Sequence, residues 1–174
     1  RDYRRRHRSL ERDVNYVIGV DPKPMVGIVG LLVHQGRIIG TPDVVQCSEN
    51  AVLSVIGALH GRAVAHGARR AYMSMGLMVV GRVRIRGLSA PMAGVHTRMM
   101  LTLLKEWSAT RAVVVEHRSI EVEAWSTDAR LDSMGLLEAT KFMLRARTAA
   151  RHALYCAVKD AGVPDPFRRR AGVA

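Results

Sequence analysis

Two carboxylates stand where apolar runs end. Asp21 follows Val17-Ile18-Gly19-Val20, and Glu116 follows Ala112-Val113-Val114-Val115. Runs of this length read as buried strands, and ligands gather outside the strand ends of mixed sheets. If the two strands are neighbours, their carboxylates can share a Mg²⁺, which favours one or two carboxylates together with water and phosphate. Where two such ions bind together, they stabilise both the attacking and the leaving oxygens of a phosphodiester. Asp21 and Glu116 are therefore the candidate metal ligands and catalytic residues, and the chemistry they suggest is phosphodiester cleavage.

The cations point to the same class of partner. The chain has 174 residues, with 27 Lys and Arg against 15 Asp and Glu, for a formal net charge of +12. With 48% hydrophobic residues it is a folded protein, since disordered chains combine low hydrophobicity with high net charge. The positive excess must lie on the surface, and a polyanion, most simply nucleic acid, is the expected partner. Candidate phosphate contacts fall in five places. Arg4, Arg5 and Arg6 lie in a basic tail at 1–13, and Arg168, Arg169 and Arg170 in another at 167–174. Lys23 stands just after Asp21-Pro22. Arg82, Arg84 and Arg86 alternate along a strand pattern and so project from one face of it. Lys141, Arg145 and His152 share one face of the last helical pattern at 100° per residue, opposite Ala146, Ala150, Ala153 and Leu154.

The elements that must position these residues follow from periodicity. Strands are expected over 16–20, 26–34 and 37–40, and turns this short make them antiparallel neighbours. Ser48 is the expected cap of a helix running to about His66. One or two strands follow over 71–86, then a helix from Pro91 to about Trp107. The nearly all-apolar Arg111–Glu116 run has the pattern of a central strand covered on both faces. Residues 118–133 read as irregular, and 133–160 as one long helix ended by Gly162 and Pro164.

Other chemistries are excluded or unsupported. Cys47 and Cys156 form no metal or disulfide spacing, and they read as free thiols in a reducing compartment. No apolar window is long enough for a membrane span, so no membrane partner is expected. There is no Walker-type or dinucleotide glycine motif, and no Ser/His/Asp arrangement is discernible. A chain beginning at Arg1 reads as processed or trimmed; Asp2 and Glu11 argue against an intact transit peptide, although organellar residence is still the expectation.

The segment VIGVDPKPMVGIVGLLVHQG resembles the opening of the RuvC-type Holliday-junction resolvases, whose first strand ends in a catalytic Asp and is followed by a Gly-rich second strand. AVVVEH resembles that family's fourth strand, ending in the second catalytic acid, and the Ala-rich stretch at 133–160 looks like the helix that follows it. RVRIRGLSAPMAGVHTRMMLTLLKEW makes the chloroplast resolvase branch look closest. The resemblance implies an RNase H-like α/β fold over 14–166, with an insertion at about 42–70. Its mixed sheet would have three antiparallel strands, then parallel ones, flanked by helices. It also implies a dimer that cleaves branched DNA with Mg²⁺, with Asp21 and Glu116 as the first two catalytic carboxylates.

Two departures shape the functional expectation. Lys23 replaces the family's glycine after Asp-Pro, which puts a cation beside the metal site. The family also takes its remaining carboxylates from a C-terminal helix, whereas the only late acids here are Asp160 and Asp165. The leading expectation is a noncatalytic, resolvase-like protein that binds nucleic acid, RNA in preference to branched DNA, among the proteins of a large ribonucleoprotein such as an organellar ribosome. The alternative is an active Mg²⁺-dependent junction resolvase whose acidic helix lies beyond Ala174. A sugar-kinase or actin-type ATPase half also opens strand-Asp-turn-strand, but its phosphate loop needs more than the Gly27 that PKPMVG supplies.

Overall fold

β1 (Val14–Asp21), β2 (Val26–His34) and β3 (Arg37–Cys47) form an antiparallel meander. Short turns at Pro22–Met25 and Gln35-Gly36 leave the chain no length for a crossover. The computed structural model describes residues 13–77 and 90–168. After α1 (Val52–Ala65), β4 (Ala68–Leu77) lies parallel to β1. After α2 (Ala90–Ser108), β5 (Val113–Arg118) lies parallel to β4. The strand order is β3-β2-β1-β4-β5. The chain closes with α3 (Ser119–Trp125), α4 (Asp128–Ser133), α5 (Leu136–Ala139) and α6 (Leu144–Lys159). The expected mixed sheet flanked by helices is the observed one.

Side chains alternating along β1 feed two cores. Tyr16, Ile18 and Val20 pack with Met73 and Met75 beneath α1 and α2. Val17 packs with Val29, Leu31 and the alanines of α6 on the other face. Backbone contact seats α6 on the sheet: a Cβ on Gly19 would stand 2.0 Å from the Ala149 carbonyl oxygen, and one on Gly27 would stand 2.2 Å from the carbonyl of Arg145. Only glycine allows so close an approach.

Several elements depart from expectation. β3 continues through Pro42 to Cys47 instead of stopping near residue 40. A bulge between the Leu32↔Ile39 and Gly30↔Asp43 pairs takes up the proline, which has no N–H for the ladder. The stretch 42–70 thus holds the second half of β3 and α1, whose Val52, Ile56, Leu59 and Ala63 are core residues. In the sheet as described, β5 is an edge strand with Val113 55% exposed, and the central strand is β1, buried from Asn15 to Asp21. Residues 118–133 form two short helices, α3 and α4. The single helix expected at 133–160 is broken: α5 stops at Ala139, Phe142 takes φ +62°, and α6 starts at Leu144. No helix among the described residues is long and apolar enough to cross a membrane.

Candidate functional site

Asp21 closes β1 and is 3% exposed. The turn after it folds back so that the Lys23 backbone N–H donates to Asp21 Oδ1 at 3.2 Å. The N-terminus of α6 lies over this end of the sheet. Gln46 on β3 fixes it there, its Oε1 accepting the backbone N–H groups of Arg145 and Ala146 at 3.0 and 3.2 Å. Arg145 consequently faces Asp21, with Nη1 3.7 Å from Oδ2, a charge contact too long for a hydrogen bond. Burial raises the Asp21 pKa; the Lys23 N–H and the charges of Arg145 and Lys23 partly offset it. The group that α6 brings to this carboxylate is a cation.

Glu116 is elsewhere. Val20, Met75 and Glu116 lie in register across β1, β4 and β5 and therefore share the α2 face of the sheet. Glu116 pairs there with the Lys105 ammonium of α2. Asp21, one residue beyond Val20, points to the α6 face. The two acids are thus on opposite faces with β4 between them, and the shared Mg²⁺ site expected from adjacent strands does not form. The expected strand end is observed for Asp21, whereas β5 runs on past Glu116 to Arg118, and nothing in the sequence placed β4 between the two acids.

The other late acids do not complete a metal site either. Asp160 Oδ2 lies 3.1 Å from His117 Nε2, and Asp165 pairs with Arg130 at 3.3 Å. Among the described residues no group of three or more His, Cys, Asp or Glu could hold a metal ion. Of the residues outside the description, 78–89 and 169–174 contain no acid, histidine or cysteine, and 1–12 contain Asp2, His7 and Glu11. The described residues do not fit the resolvase metal.

The expected cation stripe on the last helix is also dispersed. His152 is 2% exposed, so it cannot reach a phosphate. Burial, followed by the charge of neighbouring His117, lowers its pKa to about 4. Lys141 precedes α6 in the turn at Phe142 and is exposed. Arg145 is turned toward Asp21, Lys23 is half-buried beside it, and Arg168 is exposed. Arg4, Arg5, Arg6, Arg82, Arg84, Arg86, Arg169 and Arg170 lie outside the described residues.

The fold assembles one constellation that the sequence did not reveal. Ser74 Oγ lies 2.8 Å from His117 Nδ1 and 3.3 Å from His152 Nδ1, and His117 leads on to Asp160. This is the order of a nucleophilic triad, but Ser74 is fully buried and no substrate can reach it. The chain of contacts instead ties β4, β5 and α6 together. Its members come from three elements far apart in sequence, and no local pattern marks them.

No family model matches the chain, and no curated protein does. Among solved structures the chain is similar to T. thermophilus RuvC in complex with its Holliday junction substrate, with a TM-score of 0.52 and 18% identity. The match covers 82% of this chain and 92% of that one. At that identity the likeness establishes the RNase H-like fold and singles out no branch of the family.

Proposed function

We propose that this protein binds nucleic acid through a resolvase-type fold that has no resolvase chemistry. We further propose that it serves as a protein subunit of a large ribonucleoprotein such as an organellar ribosome, with RNA as its ligand. The carrying observation is Arg145 at Asp21: a guanidinium stands beside the carboxylate that a metal would need. A cation there repels Mg²⁺, and catalysis of phosphoryl transfer consists largely of positioning and charge stabilisation. Glu116, on the opposite face and paired with Lys105, supplies no second ligand. Binding is supported by the net charge of +12 and the two arginine-rich tails, and by a structural neighbour solved on a nucleic-acid junction.

The test is cleavage of four-way junctions with Mg²⁺ beside binding to the same junctions and to structured RNA. Binding without cleavage is expected. Cleavage that Asp21→Asn abolishes overturns the noncatalytic reading in favour of an active Mg²⁺-dependent resolvase. Isolation of the native protein tests the assembly: co-purification with ribosomal RNA and proteins is expected, and recovery as a free protein counts against it.

A further inference from the structure

Phe142 is 94% exposed and sits at φ +62°. That backbone region is unfavourable for a bulky residue, and a ring in solvent returns no burial energy. Glycine would hold this turn without strain, so the fold gains nothing from the ring. Strained, exposed positions of this kind cluster where a protein meets a ligand.

The surroundings indicate which ligand. Lys141 Nζ lies 5.5 Å from the centroid of the Phe142 ring. The Arg147 guanidinium reaches back to Thr140 Oγ1 and the Leu137 carbonyl, so it lies alongside the same turn, and no acid among the described residues pairs with it. Residues 139–151 contain no acid; of their four cations Arg145 is turned to Asp21 and Arg151 pairs with Asp128, which leaves Lys141 and Arg147 at this turn. Lys141 has Glu138 at 3.7 Å, but both side chains are more than half exposed, and such a pair exchanges readily for phosphate. Leu144, two residues on from Phe142 in the chain, is 72% exposed. An exposed aromatic ring with cations around it is the combination that binds single strands, rings stacking on bases while cations track the backbone.

We propose that Phe142 is a stacking platform for an unpaired nucleobase, with Lys141 and Arg147 holding the phosphates on either side. This rests on the nucleic-acid-binding reading above and names the site and the form of strand that it takes.

The experiment titrates a short labelled oligoadenylate, and the duplex of the same length, with the full chain and with Phe142→Ala, Phe142→Trp and Phe142→Gly. Phe142→Ala is expected to weaken single-strand binding roughly five- to hundredfold, the range that loss of one stacked base gives, and to leave duplex binding nearly unchanged. Phe142→Trp should keep the affinity, with its fluorescence quenched by the oligonucleotide. Phe142→Gly should unfold no earlier than wild type, which separates lost stacking from lost folding. If Phe142→Ala binds the single strand as wild type does, the ring has another partner, such as a protein surface; this proposal then falls while the nucleic-acid reading stands. If Phe142→Ala weakens single strand and duplex alike, the stacking assignment is wrong. If wild type binds structured RNA but not the oligoadenylate, this proposal falls alone; if it binds neither the oligonucleotides nor structured RNA, both readings fall.

Discussion

The guanidinium of Arg145 lies 3.7 Å from the buried carboxylate of Asp21, across the interface between α6 and the end of β1. A carboxylate at this strand end, taken alone, reads as a metal ligand. With Arg145 over it and Lys23 beside it, it is a charge held by cations.

That relationship has a pH signature. Burial raises the Asp21 pKa above its unfolded value, so the charged form carries the cost and wild type gains stability as pH falls through the folded pKa. Asp21→Asn removes the charge, and at pH 7 it should be at least as stable as wild type, with its advantage shrinking toward acid pH. Denaturant midpoints at several pH values check this. A loss at pH 7 as large as that of Asp21→Ala would contradict it.

Arg145→Met leaves Asp21 buried without its counter-charge. Because Arg145 is 31% exposed, the expected cost is about 1–2 kcal/mol, below that of breaking a fully buried pair. In the Asp21→Asn background the same substitution should cost little. A double-mutant cycle by chemical denaturation measures the coupling.

The seating of α6 depends on Gly19. An alanine there drives Cβ to 2.0 Å from the Ala149 carbonyl oxygen and 2.5 Å from the Ala153 nitrogen, both backbone atoms that cannot rotate away. Gly19→Ala should cost about 3 kcal/mol or more, at or above the upper end of ordinary overpacking. Thermal unfolding reads it directly.

His152 is kept neutral at the centre of the Ser74 cluster, with its pKa lowered from 6.5 to about 4. A lowered folded pKa means that stability is fully present above about 6.5 and is lost as pH falls toward 4. Over that window the loss should be about 3 kcal/mol, and His152→Gln should flatten it. Stability measured at pH 7, 5.5 and 4 separates this dependence from that of Asp21, which has the opposite sign.

Phosphate contact by the C-terminal tail has a salt signature. Removing Arg168, Arg169 and Arg170 should lower the slope of log Kobs against log salt for a single strand by up to about 2, if each contacts one phosphate. An unchanged slope would place the binding surface elsewhere.

The sequence by itself determined the meander, because three apolar runs joined by turns of a few residues have only antiparallel neighbours open to them. It also determined that Asp21 ends a buried strand, and that one face of the last helix is built of alanines. Periodicity did not reveal the break at Phe142, since Thr140-Lys141-Phe142-Met143 contains no Gly or Pro and keeps the apolar spacing. Nor did it show β5 at the edge of the described sheet: Val113–Val115 is as apolar as a central strand, and its coverage depends on what packs beside it. Register and side-chain parity across β1, β4 and β5 placed Asp21 and Glu116 on opposite faces. Only tertiary structure decides such relationships, because a strand's residues alternate between two faces and its sequence does not say which strand lies next to it. The same holds for Arg145, which the sequence assigned to a solvent-facing stripe and the docking of α6 turned onto Asp21.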